Sequence, residues 1–437
     1  GRILINTPAS QGGIGDLYNF RLDPSLTLGC GSWGGNAASE NVGVKHLINI
    51  KSVAERRDNM LWFRVPPKIY FKQGATGFAL RELKGKKKAF IITDKPLFGL
   101  GYTDKITSVL EELGIAYQIF SNVNPDPDTA TIESALKIVR NLEPDVIIAL
   151  GGGSPMDVAK AVGVIAKYGG SITEYEGGGK VPGPIVPQIA IPTTAGTGSE
   201  VTAFSVITDH SRNYKLTVFS YELIPKYAIL DPDLIATAPA SVAAACGMDA
   251  FIHASESYIS TDASPFSEAM SEKAMELIGR SIRAYVANRT DVDAASDMLV
   301  GSLFAGIAFS WARLGNVHAM SHPVSAYFDV PHGVANAILL PTILDYNKLA
   351  DKGKYKKIYE YVSETHRSDE SFTPDMLVDA IRALNNSLSI PANLTEVGVT
   401  EDKIDVMADD AMKSGNIMVN PRRSTKKDIV ALYKKAM

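Results

Sequence analysis

Three of the seven histidines of the chain fall in one short stretch, NVHAMSHPVSAYFDVPHG. His318 and His322 are four residues apart, and His332 follows ten residues later. Upstream, Asp249 and His253 in GMDAFIHASE are also four apart, so in a helix the two side chains of each pair leave the same face. A carboxylate with several neutral imidazoles is a donor set that suits iron, zinc or manganese. The two segments therefore predict a divalent metal site.

The donors are one more than four protein ligands require. Asp249, His253, His318 and His332 would complete such a set and leave His322 over. A histidine that lies close to the metal without binding it is suited to proton transfer, because its pKa lies near neutrality. The alternative is that each i,i+4 pair is an ordinary hydrogen-bonded pair. Spacing alone does not establish that the two segments meet in space.

Two glycine-rich loops follow short apolar runs. GGGSPMD follows DVIIAL, and PTTAGTGSE follows QIAIP. Glycines allow close backbone approach to a ligand, and the first N–H groups of a helix favour anions. GGGSPMD also has a structural interpretation, with Ser154 as helix N-cap, Pro155 at the first helical position and Asp157 closing a capping box. PTTAGTGSE is interpreted equally well as part of a nucleotide site or as a mobile turn.

A carboxylate closes the first apolar run of this region. Asp94 follows AFIIT, where it could accept hydrogen bonds from the ribose hydroxyls of NAD and repel the extra phosphate of NADP. The ordinary alternative is that Thr93 to Pro96 form a turn.

These residues lie on elements of two kinds. Residues 66–238 alternate short apolar runs with amphipathic helical patterns, which indicates a parallel sheet covered on both faces. Residues 239–437 show only helical spacing. The predicted fold class is α/β followed by all-α, and a Rossmann-like fold for the first part does not follow from the glycine loop alone, because GGGSPMD is not GxGxxG. Residues 1–65, rich in Gly, Ser and Asn, are interpreted as an arm or linker.

The composition excludes several classes of protein. The 437 residues carry a formal net charge of −4 and lack a dense basic face, which argues against a nucleic-acid partner. We see no uninterrupted apolar stretch of membrane-spanning length and no secretory signal. Two cysteines make no disulfide framework, so a cytoplasmic location is expected. The opening GRILIN resembles the middle of a strand and lacks an initiating methionine, which is typical of an excised domain.

From about Ile69 onward the chain resembles the iron-dependent (group III) alcohol dehydrogenases. The resemblance rests on the aspartate after AFIIT, on GGGSPMD and TTAGTGSE, on Asp-x-x-x-His, and on His-x-x-x-His followed by Pro-His-Gly. It implies a dinucleotide-binding domain, a helical metal-binding domain and an active site in the cleft between them. It also implies NAD(H) and Fe²⁺ as cofactors, with Zn²⁺ as a possible occupant, and a small alcohol or aldehyde as substrate.

The resemblance assigns roles to particular residues. The implied metal ligands are Asp249, His253, His318 and His332, and His322 is the implied proton-transfer residue. The implied cofactor contacts are Asp94 for the ribose, Gly151, Gly152, Gly153, Ser154 and Asp157 around the pyrophosphate, and Thr193, Thr194, Ser199 and Lys215 toward the nicotinamide. Phe309 and Trp311 could narrow the substrate pocket, although core packing is the better interpretation of both.

The first 65 residues resemble the junction segment of bifunctional aldehyde–alcohol dehydrogenases, where an aldehyde dehydrogenase half meets the alcohol dehydrogenase half. This likeness implies ethanol and acetaldehyde as the substrate pair and predicts a homo-oligomer, a dimer or larger, formed through the arm. Cys30 lies in this segment and is interpreted as a small structural cysteine rather than an acylating nucleophile.

Three other functions are compatible with parts of the sequence. A diol or lactaldehyde reductase, or another metal-dependent oxidoreductase, would fit the same fold. A zinc enzyme acting on a phosphate ester would need extra cationic groups, and only Arg313 lies among the histidine motifs. An assembly module would use the arm to extend the sheet of a neighbouring chain.

Overall fold

The computed structural model describes residues 2–5, 52–55, 64–212, 214–363 and 371–437. The chain divides into two compact units, Gly1–Phe63 and Arg64–Met437. In the first unit, strands β1 (Arg2–Ile5) and β2 (Ser52–Glu55) pair in parallel. Of the predicted arm, residues 1, 6–51 and 56–63, which include Cys30, lie outside the described residues.

Nine strands lie among the described residues of the second unit, with helices between them. They are β3 (Lys68–Phe71), β4 (Lys88–Asp94), β5 (Ala116–Val123), β6 (Val146–Gly151), β7 (Gly177–Gly178), β8 (Gln188–Pro192), β9 (Phe204–Asp209), β10 (Tyr214–Phe219) and β11 (Tyr227–Leu230). Six form one sheet in the order β3-β11-β8-β6-β4-β5, and every pairing in it is parallel. Strands β6 and β8 are buried along their whole length, as both faces of the sheet are covered.

The predicted strands FSVIT and KLTVF form a different sheet. They are β9 and β10, which pair antiparallel to each other, while β10 pairs in parallel with the short β7. Their burial alternates along the chain, whereas strand β6 of the parallel sheet is a continuous buried apolar run. Alternation is typical of an antiparallel sheet with one face toward solvent.

Fourteen helices lie among the described residues. They are α1 (Ala75–Ala79), α2 (Lys95–Gly99), α3 (Asp104–Glu112), α4 (Thr129–Leu142), α5 (Gly153–Tyr168), α6 (Ala240–Ile259), α7 (Pro265–Ala287), α8 (Val292–Ala312), α9 (Asn316–Phe328), α10 (His332–Asn347), α11 (Lys354–Val362), α12 (Pro374–Ser387), α13 (Ile404–Lys413) and α14 (Lys426–Ala436). The first five flank the parallel sheet and the other nine form the second half. The predicted class, α/β followed by all-α, is confirmed.

Helix α9 carries His318 and His322, whose spacing of four places them on one face, as expected for a helix. It continues through Pro323, although proline removes a backbone donor and usually ends a helix. Helix α8 is long and apolar enough by composition to cross a membrane. In the fold, however, most of it is buried, and Met298, Leu299 and Leu303 belong to the core of the helical half. It is a core helix.

The interpretation of GGGSPMD as a capping box is wrong. Helix α5 begins at Gly153, two residues earlier than predicted, with Gly152 as N-cap and no side-chain cap. The carboxylate of Asp157 accepts hydrogen bonds from the Ser199 hydroxyl at 3.0 Å and the Val206 amide at 3.1 Å. The loop after β8 and strand β9 therefore take the oxygens that a capping box would have used.

Candidate active site

One carboxylate oxygen brings the predicted metal ligands together. Asp249 Oδ1 lies 3.8 Å from His253 Nε2, 3.6 Å from His318 Nε2 and 3.8 Å from His332 Nε2. Tetrahedral coordination at 2.0–2.2 Å would separate neighbouring ligand atoms by about 3.3–3.6 Å. The donor atoms of Asp249, His318 and His332 all lie within 4.8 Å of one another. Helices α6, α9 and α10 thus present a donor set whose size fits one cation.

The surroundings of Asp249 also fit a cation. Among the described residues, its ion-pair partners are these three histidines, and no lysine or arginine pairs with it. The Asn336 amide nitrogen lies 2.7 Å from Asp249 Oδ1 and 3.1 Å from Nε2 of both His318 and His332, while its oxygen Oδ1 is buried without a hydrogen-bond partner. A buried carboxylate is costly unless it is paired with a cation. Nitrogen and carboxylate donors without thiolate suit iron or zinc.

The pKa shifts in this cluster leave three of the four donors in the protonation state that binds a metal. Burial raises the pKa of the Asp249 carboxyl, but the neighbouring imidazoles of His253, His318 and His332 hold it well below its ordinary range. Burial lowers the pKa of both His253 and His332 to about 4, so both rings are neutral at pH 7. The pKa of His318 is raised to about 9, because its bonds to Asp249 and Glu256 outweigh burial. A cation would displace the His318 proton, since metal binding and deprotonation are linked.

His322 lies beside this cluster. Its ring centre is 5.2 Å from that of His332 and 6.2 Å from that of His318. Its side chain is exposed, whereas His318, one turn earlier on α9, is buried. Desolvation lowers its pKa well below the ordinary value, and the nearby charges of His332, His318 and Lys215 lower it further. The ring is placed at the entrance to the cluster.

The two glycine loops contact each other at the carboxyl edge of the parallel sheet. Gly151 pairs with Pro192, and the Thr193 amide donates to the Gly151 carbonyl at 3.0 Å. A Cβ on Gly152 would lie 3.1 Å from Thr194 Oγ1. Gly151 has φ +152°, and a Cβ there would lie 2.5 Å from the Pro155 ring, so only glycine fits. The first amides of α5 have no side-chain cap and are available to an anion.

Asp94 is the last residue of β4, the strand next to β6 in the parallel sheet. The chain runs from β4 outward to β5 and then returns to the other side of β4 as β6, so the crevice between β4 and β6 is a topological switch point, where open α/β sheets bind ligands. One Asp94 oxygen, Oδ1, accepts from the Leu97 amide at 2.9 Å and caps α2. Burial raises the pKa of this half-buried carboxyl.

Other predicted cofactor contacts are engaged with protein groups. The Ser199 hydroxyl donates to Asp157 and accepts from Lys160 Nζ at 2.9 Å. Lys215 Nζ lies 2.5 Å from Asp126 Oδ1, and its charge also acts on His322 and His332. Lys215 is therefore close to the histidine cluster. Asp157 and Ser199 instead belong to the hydrogen-bond network around Lys160.

The loop after β8 reaches the metal ligands directly. His253 Nδ1 lies 3.3 Å from the Gly196 carbonyl oxygen. A Cβ on Gly198 would lie 2.7 Å from the Gly306 Cα on α8, so the two backbones are in close contact. Phe309, farther along α8, stacks on His253 with ring centres 4.5 Å apart, and Trp311 stacks on Tyr221 at 5.8 Å. The loop after β8 thus contacts both the carboxyl edge of the parallel sheet and the histidine cluster.

Sequence reasoning missed three buried residues of this region. Lys160 lies in a helix that is otherwise apolar along its buried face, Glu256 follows Asp249 by seven residues on one face of α6, and Asn336 follows His332 by four on α10. Their helical spacing from predicted site residues was a signal that could have found them.

The arrangement defines a class of protein, in which a parallel-sheet domain with a glycine-lined carboxyl edge adjoins a helical domain with a cluster of metal-binding side chains. The model of the iron-containing alcohol dehydrogenases matches residues 66–232, and that of the C-terminal part of the Fe-containing alcohol dehydrogenase family matches residues 243–437. The chain belongs to this family of oxidoreductases.

Three relatives describe the likeness further. The bifunctional aldehyde-alcohol dehydrogenase AdhE of Escherichia coli (strain K12) is 40% identical over 457 aligned residues, which cover 96% of this chain and 51% of that protein. The 1,3-propanediol dehydrogenase of Klebsiella pneumoniae is 38% identical, covering 81% of this chain and 92% of that protein. The solved alcohol dehydrogenase from Oenococcus oeni is 34% identical with a TM-score of 0.84, covering 86% of this chain and 100% of that one. The chain spans about half the length of the bifunctional relatives it matches.

Proposed function

We propose that this chain is an NAD-dependent, metal-assisted alcohol dehydrogenase that interconverts ethanol and acetaldehyde. The observation that carries the proposal is the convergence of three imidazole nitrogens on one Asp249 oxygen, within 3.6–3.8 Å. This cluster adjoins the glycine loops through the contact between His253 and the Gly196 carbonyl. The two halves of a hydride-transfer site, a polarising group and a cofactor cradle, are therefore neighbours.

Each half has its own residues. Asp249, His253, His318 and His332 would hold the divalent cation, with Fe²⁺ proposed from the family and Zn²⁺ as an alternative occupant. When bound, the cation supplies Lewis-acid polarisation of the substrate oxygen.

The carboxyl edge of the sheet would hold the cofactor. The α5 amides and Gly151 to Ser154 would bind the pyrophosphate, and Asp94 would accept from the ribose hydroxyls, which favours NAD over NADP. Thr193, Thr194 and Lys215 would lie toward the nicotinamide. Asp157 and Ser199 would hold in place the loop after β8 that carries the two threonines.

The protein controls the proton and the water. His322 lies at the entrance to the cluster with an exposed ring, so it can pass a proton between the substrate oxygen and solvent. Phe309, stacked on His253, keeps water from one side of that ligand. His253 and His332 are neutral at pH 7, which keeps their nitrogens available as ligands.

The proposal of ethanol and acetaldehyde rests on the extent of one match. The match to the bifunctional enzyme covers 96% of this chain, whereas that to the 1,3-propanediol dehydrogenase covers 81%. The additional coverage takes in most of the N-terminal segment that resembles a junction. A cytoplasmic location and a homo-oligomer formed through this segment are part of the same proposal.

The test measures metal content and NADH oxidation together. Protein prepared without oxygen is analysed for iron and zinc and assayed with acetaldehyde and with 3-hydroxypropanal, before and after Fe²⁺ is added. The proposal expects Fe²⁺-stimulated oxidation of NADH, weak use of NADPH, and a higher kcat/KM for acetaldehyde. A higher kcat/KM for 3-hydroxypropanal would reassign the substrate, and no metal-stimulated turnover with either aldehyde would refute the reaction.

A further inference from the structure

Helix α9 begins without an N-cap of its own. The residue before it, Gly315, has no side chain, so the first amides of the helix need acceptors from elsewhere. The Val317 amide donates to Glu256 Oε1 at 2.7 Å, and the Asn316 amide donates to Asn420 Oδ1 at 3.2 Å. Glu256 lies on α6. A carboxylate of one helix therefore caps the start of another.

The second oxygen of the same carboxylate holds the imidazole of His318. His318 Nδ1 lies 2.7 Å from Glu256 Oε2, and both side chains are buried, with 1% and 3% exposed. A carboxylate only accepts, so Nδ1 must carry the proton that it shares. This hydrogen bond directs Nε2, 3.6 Å from Asp249 Oδ1, toward the cluster as the nitrogen available to a cation.

The glycine before α9 is part of this arrangement. A Cβ on Gly315 would lie 2.8 Å from Glu256 Oε1 and 3.0 Å from Asn420 Oδ1. The backbone at Gly315 has φ −137°, which any residue adopts, so the glycine is required by the space that the carboxylate occupies.

We propose that Glu256 is a positioning residue that sets the metal affinity of the centre, by capping α9 and by fixing which nitrogen of His318 faces the metal. The inference rests on the proposed function, because it concerns the same centre. Helix α6 then supplies Asp249, His253 and Glu256 from one face, so one helix carries two ligands and the residue that orients a third.

The test uses Glu256→Gln, which is nearly the same size. If the glutamine oxygen keeps the cap at Val317, its NH₂ group must face His318 Nδ1, and the proton is moved to Nε2, where it blocks metal binding. Zn²⁺ affinity of metal-free protein is measured by competition with a chromophoric chelator, together with the melting temperature without metal. We expect affinity to fall about 10–100-fold, the usual loss for a residue that orients a ligand.

Two controls and a second variant sharpen the result. Glu276→Gln, at an exposed position of α7, should leave Zn²⁺ affinity unchanged. Gly315→Ala keeps the carboxylate but displaces it, so affinity should fall, whereas Gly415→Ala, where a Cβ meets open space, should have no effect. If Glu256→Gln does not fold, Gly315→Ala decides. Zn²⁺ affinity within twofold of the wild type in the deciding variant overturns the proposal.

A double-mutant cycle separates positioning from general packing. In a His318→Ala background, Glu256→Gln should change Zn²⁺ affinity by less than twofold, because its route to the metal is gone. A loss as large as in the wild-type background would show that Glu256 acts without His318 and would overturn the proposal. If His332→Ala binds Zn²⁺ as the wild type does, the metal centre of the proposed function fails instead.

Discussion

Two buried clusters of charge among the described residues are balanced differently. In the α/β half, Lys160 is completely buried and its ammonium group donates to the carbonyls of Ser199 and Phe204 at 2.8 Å. Its charge also attracts Asp157 and Glu200. In the helical half, Asp249 is as deeply buried but has only imidazoles as ion-pair partners among the described residues.

The difference indicates what each cluster is for. The Lys160 cluster carries its own cation and is complete within the polypeptide, so it holds the loop after β8 in place. Among the described residues, the Asp249 cluster brings four donor atoms together without a lysine or arginine, and the charge opposite Asp249 is a proton on His318 that a bound cation would displace. A buried carboxylate paired with a lysine indicates structure, whereas converging donors without a lysine or arginine indicate a ligand.

The largest effect is expected at the Asp249 cluster. His332→Ala removes one of the proposed ligands, so we expect loss of bound metal and a fall in turnover of about 10³-fold or more. Elemental analysis and NADH oxidation measure both, and NADH binding followed by fluorescence should survive. If the variant keeps its metal and its activity, the proposed ligand set is wrong. The Asp249 cluster would then no longer differ from the Lys160 cluster in binding a metal.

A stability effect should follow at the other cluster. Lys160→Met leaves the half-buried Asp157 and the buried Glu200 without their cation, and breaking such a cluster costs about 3–5 kcal/mol. Urea unfolding of the metal-free protein measures this loss. Lys167→Met, at an exposed position of the same helix, is the matched control and should change stability by less than about 0.5 kcal/mol. Equal effects of the two variants would show that the Lys160 cluster does not hold the fold.

His322 should affect rate and not metal content. His322→Ala leaves all four proposed ligands in place, so bound metal should be unchanged while kcat falls about 100-fold, a usual contribution of proton transfer. Stopped-flow and steady-state assays at several buffer concentrations measure it, and an added buffer base should restore part of the rate. His210→Ala, an exposed histidine, is the control. Unchanged kcat would remove His322 from the reaction.

The smallest effect concerns pH. Burial raises the pKa of Glu200 to about 7, so its contribution to stability is fully present below its ordinary value of 4.5 and is lost as pH rises through 7. Glu200→Gln stays neutral, so between pH 5 and 7.5 it should lose less stability than the wild type, by roughly 1–2 kcal/mol. Thermal unfolding across this range measures the difference, with the exposed Glu133→Gln as control. Parallel curves for wild type and Glu200→Gln would refute the assignment.

The sequence predicted much of the fold because the pattern of apolar residues reports burial. AFIIT, DVIIAL and QIAIP lie in β4, β6 and β8. The same reasoning did not anticipate that helix α9 continues through Pro323, a residue that usually ends a helix. It also placed a cap on Ser154 where contacts from the loop after β8 decide the geometry.

The candidate site could be predicted only in part. The histidine spacing selected the donor residues, but their convergence depends on how α6, α9 and α10 pack, which no local pattern contains. Lys160, Glu256 and Asn336 contact residues 18 to 87 positions away in the chain. Such partners are set by tertiary structure, so sequence spacing within one helix could suggest these residues but not what they contact.

The hydrogen bond between the Gly196 carbonyl and His253 has a mechanical consequence. The loop after β8, which would contact the nicotinamide, is held at Ser199 by Lys160 and at Gly196 by the proposed metal ligand His253. A movement that widened the crevice to admit a dinucleotide by shifting this loop would also loosen that imidazole. Binding of the metal ion and binding of the dinucleotide would therefore be coupled. If the dinucleotide weakens metal binding through this movement, the metal weakens dinucleotide binding by the same free energy, because such linkage is reciprocal.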